Sequence, residues 1–215
     1  GEITQITVKN LSGDYVALNP EFRLPETNSR NNWRFMKNKV NFKPIHFSLF
    51  KDYETPKKTQ LFFMPDINYS LYDGIVIGSK FYNKGVTFNR LNLELKPLYS
   101  SEESSLVGSF GGSYIFQNQV KSNYRTQLNI SASSYFYDKK SRYRILVPSI
   151  SFYFRTPDLR SNKRHILSLF YYYVERKGSI DSDPNYKIFN FRHNFTNRNA
   201  IYDICLLYTS DAADE

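Results

Sequence analysis

The sequence predicts an all-β protein: an antiparallel, up-and-down transmembrane β-barrel that is incomplete in this chain and is preceded by a short β segment. Two alternating apolar runs flank the turn Tyr72-Asp73-Gly74, and Asp-Gly between such runs is the strongest short-range hairpin signal. Later segments repeat this pattern with strands longer than the roughly five or six residues typical of globular sheets. Aromatic residues cluster near the strand ends, as they do at membrane interfaces.

The composition agrees with strands that have two different faces. The 215 residues include 18 Tyr, 18 Phe and one Trp, and the mean hydropathy is −0.54. No run approaches the roughly 18 consecutive apolar residues of a membrane helix. A low mean hydropathy with many aromatic residues is typical of strands that are apolar on one face and polar on the other. Because strands in a soluble sandwich alternate in the same way, a soluble β-sheet binding module is one alternative.

The charge indicates the kind of partner. The net charge is +9, and the basic residues lie mostly at predicted turns rather than in one tight run. Such a balance favours anionic neighbours. We therefore expect outer-membrane lipid and lipopolysaccharide as partners, the bacterial outer membrane as the location, and the barrel-assembly machinery as a further partner. We expect no nucleic-acid partner.

The first part of the chain reads differently from the rest. Residues 1–23 contain the strand candidates Ile3–Lys9 and Asp14–Leu18 and are interpreted as the end of a small β domain. Residues 24–59 are interpreted as a linker followed by a lead-in strand that begins near Phe42. The charged stretch Lys51–Thr59 is the expected turn before the first strand of the barrel.

Residues 60–204 carry the regular strand pattern that we assign to the barrel. The lengths and the spacing of these strands suit tilted membrane strands of roughly 9–11 residues. The predicted strands are 60–69, 74–83, 88–98, 104–117, 126–137, 143–155, 164–175 and 186–196.

The alternation within residues 143–155 predicts which side chains face lipid. The lipid-facing candidates are Leu146, Ile150, Phe152 and Phe154. We place Arg144 on the opposite, polar face with the serines of this strand.

Pro65, Pro97 and Pro148 each remove a ladder donor and are expected at bulges or strand ends. Gly108, Gly111 and Gly112 indicate either a kink or close approach of a plug, or simply a poorly packed strand.

No catalytic, cofactor-binding or metal-binding residue is predicted on this segment. His46, His165 and His193 belong to no H-E-x-x-H or other zinc pattern. There is no G-x-x-x-x-G-K-[ST] phosphate loop and no G-x-S-x-G nucleophile elbow. We therefore expect no enzyme activity and no cofactor on this segment.

The final residues, Cys205–Glu215, read CLLYTSDAADE and do not continue the strand pattern after Leu207. This stretch resembles the translation of a sequencing adapter. We expect a non-native tail, with the natural protein continuing beyond Ile204 and with no role for Cys205.

Several short motifs lie in and just after residues Trp33–Leu98: Lys43-Pro44, Leu61-Phe62-Phe63-Met64-Pro65, Tyr72-Asp73-Gly74, Gly78, Asn83-Lys84, Lys96-Pro97-Leu98-Tyr99 and Leu106-Val107-Gly108-Ser109. With these motifs, the segment resembles the C-terminal outer-membrane barrel region of gluzincin-type, aminopeptidase-N-like metallopeptidases of Gram-negative bacteria. The resemblance implies a barrel that anchors or displays an upstream zinc metallopeptidase, whose zinc-binding residues are absent here. A transport or assembly barrel, porin-like or surface-antigen-like, is the main alternative.

Overall fold

The computed structural model describes most of the chain as strands and their connections. The described residues are 13–21, 23–25, 29–36, 43–50, 55, 57–85, 88–118, 122–158, 160–178, 185–198 and, for the backbone only, 203–214. The predicted strand Ile3–Lys9 lies outside these residues. No helix in the described part of the chain has the length and apolar character needed to cross a membrane.

The strands form two sheets. A two-stranded sheet pairs β1 with β2, and a ten-stranded sheet follows the chain order from β3 to β12. A short 3-10 helix, Ser29–Asn32, precedes β2. The strands are β1 Tyr15–Ala17, β2 Trp33–Phe35, β3 Ile45–Leu49, β4 Thr59–Ser70, β5 Gly74–Tyr82, β6 Leu91–Ser100, β7 Ser105–Gln117, β8 Asn123–Asp138, β9 Ser141–Arg155, β10 Arg164–Lys177, β11 Tyr186–Arg198 and β12 Asp203–Asp214.

The predicted all-β class and the antiparallel meander from β4 to β11 are confirmed, and each predicted strand differs from the observed one by only a few residues at its ends. The lead-in strand β3 pairs with β4 in parallel, so the ten-stranded sheet is mostly rather than wholly antiparallel. The Phe50 N–H donates to the Phe63 carbonyl at 2.8 Å, and the Thr59 N–H donates to the Pro44 carbonyl at 2.9 Å. Apolar alternation does not reveal strand direction, since both ladder types have the same period of two.

The prolines interrupt the sheet where a backbone donor is missing. The β5–β6 ladder skips the positions around Pro97, and the β9–β10 ladder skips those around Pro148. The Phe63 carbonyl accepts a hydrogen bond from the Phe50 N–H just after β3, so this carbonyl points toward β3. Backbone groups two residues apart along a strand point to the same side, and the nitrogen of Pro65 therefore also points toward β3. The β3 ladder ends at Phe63, so Pro65 needs no partner there.

Gly108 in β7 is constrained by close contact with the neighbouring strand β6. It lies opposite Pro97 with a φ of 135°, and a Cβ at this position would come within 1.8 Å of the Lys96 carbonyl oxygen. The glycine is therefore required by close approach of the β6 backbone. Gly111 differs, since an added Cβ would meet nothing closer than Glu94 Cβ at 3.9 Å.

The small sheet contacts Lys57, which lies two residues before the start of β4. Its ammonium lies 4.6 Å from the Trp33 ring centroid and 5.1 Å from that of Tyr15. Pairing of β1 with β2 joins residues on both sides of the boundary that we expected between 23 and 24. Lys43 donates to the Arg30 carbonyl at 2.6 Å, and burial, followed by the Arg30 charge, lowers the pKa of Lys43.

The last residues form a further strand, although their sequence does not continue the alternating pattern after Leu207. The backbone of Asp203–Asp214 forms β12 and pairs with β11 along its length. An exposed strand edge offers unpaired N–H and C=O groups to any extended segment that follows it. Backbone pairing of this kind requires no particular side-chain pattern.

Candidate membrane interface

One face of the large sheet, which we call the apolar face, carries rows of apolar side chains across many strands. One row is Leu91, Tyr114, Leu128, Ile150, Leu169 and Phe191, each the cross-strand partner of the next. A parallel row begins with Phe63, Phe81 and Leu95 and continues through Phe110 to Ala132 and Leu146. The period of two places the intervening residues on the opposite, polar face.

The apolar face is exposed in the isolated chain. Every exposed large hydrophobic side chain in the described strands β3 to β11 lies on it. These residues are Ile45, Phe47, Leu49, Ile67, Tyr69, Ile75, Ile77, Leu91, Leu93, Leu95, Tyr99, Leu106, Tyr114, Phe116, Leu128, Ile130, Leu146, Tyr173 and Phe189.

The buried side chains of the large sheet lie on the polar face instead, and they include Phe62, Val76, Leu98, Val107 and Val174. Val76, Leu98 and Val107 form a cluster against which Tyr135 and Phe136 pack. This cluster joins β5 to β8 across two intervening strands. The sheet therefore curls toward its polar face.

All four predicted lipid-facing residues lie on the apolar face. Leu146 is 38% exposed, whereas Ile150, Phe152 and Phe154 are half-buried. Their partners in β10 are Tyr173, Leu169, Leu167 and His165. Their contact with lipid stays a prediction.

The predicted position of Arg144 is wrong. Arg144 shares the face of Leu146, because the two residues are separated by two positions along the strand. It pairs with Glu175 of β10, with Nη1 and Oε2 3.2 Å apart. The apolar run of β9 thus begins only at Leu146, next to this ion pair.

The apolar run of β9, from Leu146 to Phe154, has the height expected for a bilayer. Its length along the strand is about 27 Å at roughly 3.4 Å per residue. A tilt of about 40° reduces this to about 21 Å of depth, close to the apolar band of about 25 Å on membrane barrels. Arg144 lies beyond one end of the run on the same face, whereas Arg155, next to the other end, lies on the polar face.

The polar face carries ion pairs between neighbouring and next-nearest strands. Lys96 Nζ of β6 lies 2.8 Å from Asp66 Oδ2 of β4, although β5 runs between them. Gly78 is the β5 residue opposite Asp66, so no β5 side chain stands at that position. Lys80 and Glu94 form a second pair at 2.8 Å.

The hairpin turn predicted at Tyr72, Asp73 and Gly74 connects β4 and β5, and Gly74 has a φ of 68°. The Asp73 carboxylate is buried and accepts from the Ser70 hydroxyl at 2.9 Å and from the Phe136 N–H at 3.3 Å. The Ser100 hydroxyl donates to the Asp73 carbonyl at 2.8 Å. Asp73 thus connects the first hairpin to the end of β6 and to β8, a role that the sequence did not reveal.

The structure brings together two of the three histidines. His165 Nδ1 and His193 Nε2 are 3.2 Å apart on the apolar face, with parallel rings whose centroids are 5.5 Å apart. Their separation of 28 residues concealed this contact in the sequence. No group of three or more His, Cys, Asp or Glu side chains able to hold a metal ion occurs among the described residues.

Comparisons of this chain with protein-family models, with curated proteins and with solved structures found no match.

Proposed function

We propose that β4 to β11 form part of the membrane-spanning wall of a bacterial outer-membrane β-barrel. The observation that supports this most strongly is the segregation of exposed large apolar side chains to one face of the sheet. Soluble monomers rarely expose contiguous apolar patches larger than a few hundred Å². A bilayer supplies the apolar surroundings that such a face requires.

The side chains of the polar face also support this proposal. Ion pairs such as Asp66–Lys96 and hydroxyl pairs such as Ser151–Ser168, whose oxygens are 2.8 Å apart, suit a polar barrel interior. In a soluble sandwich, a second layer would have to cover the apolar face. Within the described residues, the only strands outside the large sheet are the short β1 and β2.

The proposal also requires that both sheet edges be paired in the membrane. β3 and β12 are the edges of the large sheet in the described part of the chain. An unpaired backbone edge is not tolerated in hydrocarbon, because each unsatisfied group costs several kcal/mol. Each edge therefore pairs in the bilayer, either with the other edge or with further strands.

Vesicle flotation tests this function. The chain is refolded from urea in the presence of vesicles of dilauroylphosphatidylcholine and centrifuged through a sucrose gradient. We expect it to float with the lipid after a high-salt wash, and to require detergent to stay monodisperse when lipid is absent. A monodisperse chain in plain buffer that stays at the bottom of the gradient would support a soluble binding module instead.

We further propose that this wall anchors or displays an upstream zinc metallopeptidase. This part rests on the resemblance around Lys43–Gly85 and Lys96-Pro97-Leu98-Tyr99 alone. Recovery of the uninterrupted gene from the source DNA tests it, with an upstream H-E-x-x-H motif and a further Glu ligand as the expected result. A transport or assembly barrel is the competing role, since a polar interior suits both roles equally. Stable single-channel conductance in a planar bilayer would support that role.

A further inference from the structure

The polar face contains a cavity near the connection between β5 and β6 that the membrane role leaves unexplained. Its volume is about 320 Å³, at the low end of the range for small-molecule pockets. Lys84 and Arg125 bring positive charge to it, and none of the described residues that line it is acidic. Its other polar lining residues are Asn89, Asn92, Ser113 and Gln127.

The Arg125 side chain is held in place, and only one of its N–H groups donates a hydrogen bond within the described protein. Its guanidinium carbon lies 4.9 Å from the centroid of the Tyr153 ring, and one terminal nitrogen donates to Gln127 Oε1. Its Nε is buried and has no hydrogen-bond partner. The Gln127 contact uses one of the five guanidinium N–H donors, so the terminal nitrogens can still donate to a ligand in the cavity.

The remaining cavity wall combines amide groups with apolar surface. Asn92 Nδ2 donates to the Asn89 carbonyl at 3.1 Å and lies 3.5 Å from Ser113 Oγ. Ile115 is buried and, with Phe88, supplies apolar surface. The site therefore offers cationic and amide donors beside an apolar wall.

Arginine residues on β9 and β10 add to the positive charge on the polar face. Arg155 of β9 and Arg164 of β10 are directly opposite each other in the ladder. The described β8 to β11 carry no Asp or Glu in the half of the polar face that contains these arginines. Like charges in direct opposition destabilise a sheet, and clustered positive charge attracts anions.

We propose that this cavity binds a small soluble organic anion, with its phosphate or carboxylate on Arg125 and Lys84 and a short apolar body against Ile115 and Phe88. This inference goes beyond the proposed membrane role, because the cavity lies on the face opposite the lipid-facing candidates. Arg125 orients the anion through the planar guanidinium fork, and Lys84 acts as a mobile point charge.

Equilibrium dialysis of phenyl phosphate against the full chain in a neutral maltoside detergent tests the proposal. We expect saturable binding of one phenyl phosphate per chain and no binding of benzyl alcohol, which lacks the charge. Arg125→Gln and Lys84→Gln should each raise the dissociation constant about tenfold, as expected for loss of a charge-assisted contact. Lys84 is exposed, so its replacement leaves the fold intact and keeps the test valid should Arg125→Gln fail to fold.

The matched control is Arg192→Gln, since Arg192 lies on the same face over the Phe170 ring but does not line the cavity. Its dissociation constant should equal that of the unaltered chain. Absence of saturable binding, or equal weakening by Arg192→Gln, would overturn the proposal. Tighter binding of dihexanoyl phosphatidate through Arg125 and Lys84 would overturn the assignment to a soluble solute and indicate a lipid headgroup.

Discussion

Replacement of Ile130 by arginine separates the membrane-facing interpretation of the sheet from the soluble one. Ile130 lies on the apolar face and is 40% exposed. In a soluble protein, arginine at so exposed a position should change the free energy of unfolding by no more than about 0.5 kcal/mol. In a bilayer, arginine near the midplane of a barrel costs about 2–4 kcal/mol.

In the proposed membrane orientation, Ile130 lies close to that midplane. Its partner in β9 is Pro148, two residues from Ile150 at the centre of the Leu146–Phe154 run. Two residues correspond to about 7 Å along the strand and to about 5 Å of depth after tilt. We therefore expect a cost in the lower half of the range, about 2–3 kcal/mol.

The matched control is Ser131→Arg. Ser131 is the next residue of the same strand, is also exposed, and lies on the polar face. The free energy of folding into dilauroylphosphatidylcholine vesicles is measured by urea titration, with circular dichroism as the signal. Ile130→Arg should lower the stability by about 2–3 kcal/mol and Ser131→Arg by less than about 0.5 kcal/mol. Equal effects of the two variants would refute the assignment of the apolar face to lipid.

The same titration checks two further predictions. Gly108→Ala should lower the free energy of unfolding by about 2–4 kcal/mol, because alanine is strained at a φ of 135° and its Cβ would lie 1.8 Å from the Lys96 carbonyl oxygen. Gly111→Ala is the control and should be nearly neutral. A nearly neutral result for Gly108→Ala as well would contradict this account of the β6–β7 contact. Asp73→Ala should lower the free energy of unfolding by about 1–3 kcal/mol, because it removes the acceptor of the Phe136 N–H. Asp73→Asn retains one carbonyl oxygen and should lower it by less. Equal losses in the two variants would show that the hydrogen bond to Phe136 contributes little.

Long-range geometry explains why several features of the polar face were missed in the sequence. Asp66 and Lys96 are separated by a whole strand, and their contact depends on Gly78 leaving space between them. The cavity around Arg125 is built from three strands and a connection that only the curled sheet brings together. Neither arrangement has a local sequence signature, since each depends on register and curvature.

The positions of the strands and the chemistry of their faces were determined by the sequence alone. Side chains alternate with a period of two, so local patterning is sufficient to locate β4 to β11 and to assign Leu146, Ile150, Phe152 and Phe154 to one face. Arg144 follows the same rule, since it lies two residues from Leu146 and therefore shares its face.

Only the tertiary structure decided how the strand edges are used and which distant side chains meet. β3 pairs in parallel and β12 extends the sheet because backbone hydrogen bonds are available at an open edge whatever the side chains are. His165 meets His193, and Asp73 meets Phe136, because pairing and curling bring distant segments within contact range. Such contacts depend on the relative placement of whole strands, which local alternation does not specify.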